Sequence, residues 1–206
     1  MTTIPAPATS EPAEVPERSL LVPRAPAPTI DGTIDSGEWD GAIAIPLSNG
    51  DSAYWQHDGT TLYVALDGTR MGAVNLVIAT ADEMWILHSS AALGSSLYLP
   101  GESAWEQSHG YTWCCRSAHD ETARLGLLDE EGWQANIGYT GDLGVVEYQV
   151  AIPWGYATAA LVYHTETVSA YWPTDIPPEA VTHITANHWT DPAFDPGQWW
   201  MLVPAA

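Results

Sequence analysis

The sequence predicts an all-β fold, a single antiparallel β-sandwich of about ten strands with one short helix. Apolar and polar residues alternate with a period of two through most of the chain, which indicates strands that are buried on one face. Turn residues recur about every 8 to 12 residues, the spacing expected for a sandwich of short strands. With 206 residues, the chain is long enough for one well-buried core and too short for two linked domains.

The beginning of the chain differs from the rest. Residues 1–27 alternate Pro, Ala, Glu and Ser, a composition typical of a flexible, extended leader, in which only Ser19–Val22 suits an edge strand. We therefore expect a leader at 1–27 and a sandwich domain at 28–206. The leader lacks the basic start and apolar stretch of a signal peptide, and no apolar run reaches the roughly 18 to 20 residues that span a membrane.

The stretch PTIDGTIDSGEWDGA, residues 28–42, opens the predicted domain. Its Asp-Gly pair at 31–32 indicates a turn, and Asp35 or Ser36 is placed to cap a short helical turn. Trp39 then enters the core. The stretch therefore predicts a structural corner at the start of the sandwich.

The remaining elements follow the corner in order. The clearest hairpin is SAYWQHDGTTLYVALDG, residues 52–68, which turns at an Asp-Gly pair. The segment 119–132 is the one good helix candidate, with Gly132 as its stop. Further strands are predicted within 72–80, 82–91, 95–101, 109–117, 133–153, 160–172, 179–189 and 198–203.

The charge balance limits the partners that the sequence favours. The formal charge is −21, because 26 acidic residues face five basic ones, all of them arginine. Such a surface repels phosphate groups, so neither nucleic acid nor an anionic membrane is an expected partner. A small neutral ligand, a cation or another protein fits the charge better.

The two cysteines, Cys114 and Cys115, are adjacent. Consecutive Cα atoms lie about 3.8 Å apart, inside the usual disulfide range of roughly 4.4 to 6.8 Å. We therefore expect two reduced thiols. Unpaired thiols and the missing signal peptide favour a cytoplasmic location, unless the true start of the protein lies upstream, in which case an extracellular location is open.

Two stretches, PTIDGTIDSGEWDGA at 28–42 and DGTTLYVALD at 58–67, resemble family 9 carbohydrate-binding modules and the wider group of DOMON-like β-sandwiches. Blocks within 85–98, 111–117 and 130–153 resemble an uncharacterised bacterial group of the same sandwich type. The resemblance implies one of two ligand classes, saccharides or haem. It does not choose between them.

A saccharide site needs a flat aromatic ring for the apolar side of a pyranose and fixed polar groups for its hydroxyls. Strands between residues 84 and 149 carry both kinds of side chain. The residues expected to stack are Trp105 and Trp113, and those expected to hydrogen-bond are His88, Arg116, Gln134, Asn136, Glu147 and Gln149. On this interpretation the protein is a non-catalytic binding module for a saccharide.

Alternative interpretations concern haem, protein interaction and metal. A b-type haem would need Met71 or Met84 paired with His88, His164 or His183. The proline-rich leader and acidic surface would suit a protein-interaction module. Calcium is a further alternative, with Asp31, Asp35, Glu38 and Asp40 as candidate ligands, although the usual calcium-loop pattern is absent and a structural corner explains these acids better. No catalytic motif is present, so an enzyme is not the favoured interpretation.

Overall fold

The computed structural model describes residues 16–69, 71–102, 104–115, 120–155, 157–164, 168–176 and 195–205. Within these ranges the protein is an all-β, sandwich-like fold with two sheets and one α-helix, as predicted from the sequence. No helix in the described ranges is long and apolar enough to cross a membrane.

The larger sheet has eight strands among the described residues. They are β1 (Ser19–Val22), β5 (Ala73–Ala79), β6 (Met84–Ser89), β7 (Leu93–Pro100), β8 (Trp105–Cys115), β11 (Thr158–His164), β12 (Val168–Trp172) and β13 (Trp200–Pro204). Their order is β1-β13-β11-β5-β6-β7-β8, with β12 beside β11. β1 and β13 run parallel, whereas the other neighbours in this sheet run antiparallel.

The smaller sheet has five antiparallel strands. They are β2 (Ile43–Pro46), β3 (Ser52–His57), β4 (Thr61–Thr69), β9 (Trp133–Thr140) and β10 (Leu143–Ala151). They lie in the order β2-β3-β4-β10-β9. The predicted hairpin of β3 and β4 is confirmed, and its turn is held by the Asp58 carboxylate, which accepts the N–H groups of Thr60 and Thr61 at 2.9 Å.

The main core lies between the sheets. Alternate residues of β10, Val146, Tyr148 and Val150, point inward from the smaller sheet, as their spacing predicts, and pack in one cluster with Leu76 and Leu161 of the larger sheet. Tyr148 also donates its hydroxyl hydrogen to the carbonyl of Val74 at 2.9 Å, a bond that ties the two sheets together across the core.

The larger sheet is buried on its outer face as well. A second cluster there joins side chains of β5, β6, β7 and β11 to residues near the end of the chain; its members include Val77, Met84, Ile86, Tyr98, Ala160, Val162, Ile176 and Trp199. This explains why every residue of β5 is buried. A strand covered on both faces loses the alternation of polar and apolar residues.

The predicted helix is confirmed as α1 (Glu121–Glu131). Asp120 caps its start by accepting the N–H of Ala123 at 3.0 Å. Gly132 ends it in the left-handed conformation, with φ of 76°, which glycine adopts at little cost. Leu127 is buried and faces the main core.

The predicted boundary between leader and domain is wrong for residues 16–27. β1 lies inside the expected leader and pairs with β13 from Ser19↔Met201 to Val22↔Pro204. Leu20 and Val22 are buried in the main core, because SLLV places both on one face of a strand. The folded domain therefore starts before Pro28.

Candidate functional site

His88 and Trp113 are neighbours on the outer face of the larger sheet. β7 lies between their strands, and Gly94 of β7 is the register partner of both residues. The two rings meet edge to face, with centroids 5.4 Å apart and an interplanar angle of 82°. Two residues of the predicted saccharide site therefore contact each other.

Gly94 allows Trp113 to lie close to the sheet. A Cβ atom at position 94 would come within 2.8 Å of Cε3 of Trp113, too near for two carbon atoms. The indole nevertheless remains 53% exposed to solvent. Trp113 is thus a large aromatic side chain that packs on β7 and is about half exposed to solvent.

His88 is fixed in orientation by both of its ring nitrogens. Nδ1 lies 2.8 Å from Oδ1 of Asn75, and Nε2 lies 3.1 Å from Oγ of Ser90. Ser90 is itself held, since its hydroxyl donates to the carbonyl of Ala92 at 3.1 Å. Rotation of the imidazole would break two hydrogen bonds, so the edge that it presents to Trp113 is well defined.

A polar row continues along the same face toward Trp105. The side-chain amide of Gln107 donates to Oγ of Ser96 at 2.8 Å and to the hydroxyl of Tyr98 at 3.4 Å. Trp105 pairs with Pro100, six residues along β7 from Gly94, or about 20 Å at the usual rise per residue. Trp105 and Trp113 therefore cannot stack on one sugar ring, and Trp105 is half-buried against the outer cluster.

Four other predicted ligand contacts lie on the smaller sheet, and three of these four side chains are far less exposed to solvent than expected. Glu147 of β10 pairs with Asn136 of β9, and Gln149 pairs with Gln134. Glu147, Asn136 and Gln134 are buried, with Glu147 0% exposed. The expectation of an open polar face is wrong here, because the stretch 28–42 lies across this sheet.

Glu147 receives three donors from that stretch. Its Oε2 accepts the backbone N–H groups of Asp31 at 3.0 Å and Gly32 at 2.8 Å, and its Oε1 accepts the indole N–H of Trp39 at 3.1 Å. Burial raises the pKa of Glu147 to about 7, although these three N–H groups act in the opposite direction. The carboxylate thereby holds the opening corner on the sheet.

Neighbouring side chains complete this attachment. Arg124 of α1 donates to the carbonyl of Ile30 at 2.8 Å, and the side-chain amide of Asn136 donates to the same carbonyl at 3.4 Å. Gln134 donates to Oε1 of Gln149 at 2.7 Å. Sequence reasoning missed Arg124, because its place in a helix gives no sign of a partner 94 residues earlier. To contact a ligand, these groups would have to lose the corner that covers them.

Two of the four candidate metal ligands of the corner, Asp31 and Glu38, have structural partners. Asp31 Oδ1 accepts both the N–H of Thr33 at 2.9 Å and its hydroxyl at 2.6 Å, so Asp31 shapes the turn predicted at residues 31–32. Glu38 accepts the N–H of Thr29 at 3.2 Å. Across the described part of the chain, no group of three His, Cys, Asp or Glu side chains is arranged to hold a metal ion.

Of the remaining candidate site residues, some lie in the core and others lie outside the residues that the structure describes. Met71 and Met84 are buried in two different hydrophobic clusters, which gives the haem interpretation no support. Arg116, His183 and the side chain of His164 lie outside the described residues. Cys114 is disulfide-bonded, so the expected reduced thiol at this position is wrong.

Comparisons with protein-family models, with curated proteins and with solved structures found no match for this chain. The likeness of 28–42 and 58–67 to family 9 carbohydrate-binding modules accordingly stays a prediction. The geometry of His88 and Trp113 is the firmest basis for a functional proposal.

Proposed function

We propose that the protein binds a neutral saccharide, without catalysing a reaction, on the outer face of its larger sheet. The observation that carries the proposal is the position of Trp113, 53% exposed and supported by Gly94 and by the edge of His88. An indole held in this way offers a flat apolar surface to the C–H face of a sugar ring.

Polar groups on the same face surround the aromatic surface. The amide of Gln107 is held by donating to Ser96 and Tyr98. His88 and Ser90 are engaged with Asn75, Ala92 and each other, so they would have to exchange one of these partners to contact a sugar hydroxyl. A few convergent polar groups beside an aromatic surface are typical of a small-molecule site. The charge of −21 favours a neutral saccharide over one bearing phosphate or sulfate groups.

We propose binding without catalysis because of the chemistry of the groups near Trp113. A glycosidase uses two carboxyl groups about 5 to 10 Å apart, one on each side of the bond that it breaks. Among the described residues, the groups shown at Trp113 are the imidazole of His88 and, behind it, the Asn75 amide and the Ser90 hydroxyl to which the imidazole is bonded. They can orient a sugar, but they do not form such a pair.

Isothermal titration calorimetry with neutral mono- and oligosaccharides tests the proposal. We expect at least one saccharide to bind at or below millimolar concentration, and Trp113→Ala to weaken its affinity by about tenfold or more, the loss expected for one stacked aromatic. Tyr139→Ala is the matched control, since Tyr139 is 54% exposed on the smaller sheet. The proposal fails if no saccharide binds, or if the two variants bind equally well.

A further inference from the structure

A cavity of about 180 Å³ lies between the two sheets, away from Trp113. Its lining includes Ile78 of β5, Trp85 of β6, Trp133 of β9 and Val150 of β10, together with Glu83 and Glu131. A neighbouring hollow of about 220 Å³ shares Trp85 and Glu131 with it. The two spaces adjoin along the inner face of the larger sheet, which extends from β6 through β7 to β8.

The walls of the cavity are apolar because of strand alternation. Trp85 and Leu87 point to the inner face of β6, whereas His88 points to the outer face. Across the gap, Trp133 and Val150 are register partners in the smaller sheet. Two indoles and several aliphatic side chains therefore bound the same small space.

The carboxylate of Glu131 is held at this space by two donors. Its Oε2 accepts the hydroxyl of Ser95 at 2.6 Å and the indole N–H of Trp133 at 3.1 Å. Hydrogen bonds to an ionised acceptor are short and strong, so they fix the direction of the negative charge. Glu131 is the last residue of α1 and lies two residues before Trp133, the first residue of β9, which joins the carboxylate to one of the aromatic walls.

A second carboxylate comes from the turn between β5 and β6. In that turn, Thr80 donates its N–H to the carbonyl of Glu83 at 2.8 Å, and Glu83 donates its N–H to Oγ1 of Thr80 at 3.2 Å. The turn places Glu83 on the lining of the same cavity. The cavity thus combines aromatic walls with two acidic side chains.

We propose that this cavity binds a small organic cation whose charged nitrogen carries alkyl groups, such as a quaternary ammonium ion. Indole rings attract cations, and of the two indoles Trp85 is the one that is partly exposed, since Trp133 is only 1% exposed. The alkyl groups would pack against the aliphatic walls, and the charge would face Glu131. A saccharide suits the cavity less well, because its hydroxyls would lie against Ile78 and Val150 without partners.

The charge of the whole chain supports a cationic ligand. The formal charge of −21 creates a field that concentrates cations near the surface and accelerates their encounter with an acidic cleft. The sequence contains no lysine, and the lining of the cavity includes no arginine. The described lining therefore holds no cationic side chain that would compete for Glu131.

Choline and its neutral analogue 3,3-dimethylbutanol, which has carbon in place of the charged nitrogen, form the decisive pair of probes. Calorimetry on the full chain at low salt should show choline binding, with the neutral analogue weaker by about tenfold or more. Glu131→Gln retains an oxygen for Ser95 and Trp133 but removes the charge, and should weaken choline binding about tenfold. Glu130→Gln, one residue earlier and exposed, is the matched control and should bind as the unmodified protein does.

Two further variants distinguish cation binding in this cavity from loss of folding and from saccharide binding at Trp113. Trp85→Leu should reduce choline affinity about tenfold while its circular dichroism spectrum stays unchanged; if it fails to fold, Glu131→Gln decides the matter. Trp113→Ala should bind choline normally, so loss of saccharide binding and loss of cation binding are distinguishable. Absence of choline binding, equal binding of the neutral analogue, or equal effects of Glu130→Gln and Glu131→Gln would overturn the proposal.

Discussion

Glu147 of β10 accepts the backbone N–H of Gly32 at 2.8 Å, across 115 residues of sequence. The other oxygen of the same carboxylate accepts the indole N–H of Trp39, which packs with Ile30 and Tyr63 in a cluster outside the smaller sheet. One buried side chain therefore holds the opening corner in place. The stability of the fold should therefore depend on both Glu147 and Trp39.

Trp39→Ala should lower the free energy of unfolding by about 3 to 5 kcal/mol, since it removes a buried aromatic and leaves Oε1 of Glu147 without its donor. Trp39→Phe keeps most of the packing and should cost less, about 1 to 3 kcal/mol. Urea denaturation measures both. A loss below about 1 kcal/mol for Trp39→Ala would show that the corner contributes little to stability.

Stability should depend on pH through Glu147. Because burial raises its pKa from an ordinary value of 4.5 to about 7, the folded state binds this proton more tightly than the unfolded state does. The contribution is complete below about pH 4.5 and is lost as the pH rises through 7, a change of about 2 to 3 kcal/mol at most. Glu147→Gln cannot ionise, so its unfolding free energy should change less between these values.

Urea denaturation at pH 4.5 and pH 7 measures this difference. Asp40→Asn is the control, since Asp40 is an exposed acid of the same corner and should keep the pH dependence of the unmodified protein. Glu147→Gln should also be less stable at pH 4.5, because its amide group meets the N–H donors of the corner. An identical pH dependence in Glu147→Gln and in the unmodified protein would contradict the assignment.

A pair of glycine substitutions tests how closely the corner approaches the sheet. A Cβ at Gly138 of β9 would collide with the backbone oxygen of Gly32, whereas a Cβ at Gly126 of α1 would meet nothing within 4 Å. Gly138→Ala should destabilise the protein by about 2 kcal/mol or more. Gly126→Ala should stabilise it by roughly 0.5 to 1 kcal/mol, because alanine favours helix. Equal melting temperatures for the two variants would contradict this packing.

Gly94→Ala tests the support beneath Trp113. The added methyl group would come within 2.8 Å of Cε3 of the indole, so the exposed ring should be displaced from β7. We expect saccharide affinity to fall several-fold while the melting temperature changes by only a few degrees, since an exposed ring can move into solvent. Calorimetry and thermal denaturation measure the two effects, and unchanged affinity would argue against stacking on Trp113.

Local signals in the sequence predicted much of the fold. The Asp-Gly turn at residues 58–59 and the helix stop at Gly132 each depend on residues close together in sequence. The face of a strand that points away from the core is equally visible in the pattern. Which segment covers that face depends on contacts between residues far apart in sequence. Glu147 was therefore expected to be exposed to solvent.

The dependence on residues far apart in sequence also explains other differences between the predicted and the observed structure. SLLV was expected to form an edge strand within a flexible leader, and its place in the folded domain was missed because its partner β13 lies about 180 residues later. Trp85 and Glu131 come together only through the packing of two sheets, which strand alternation does not specify. His88 and Trp113, in contrast, are brought together by two neighbouring hairpins, β6 with β7 and β7 with β8.

The most direct test of saccharide binding is the response of the Trp113 indole N–H in a two-dimensional ¹H–¹⁵N spectrum, assigned by comparison with Trp113→Phe. On titration with a saccharide that binds in the calorimetric screen, this resonance should shift among the most of the 11 tryptophan signals, together with the His88 ring signals. A Trp113 resonance that stays in place while other indole signals move would contradict the proposed site.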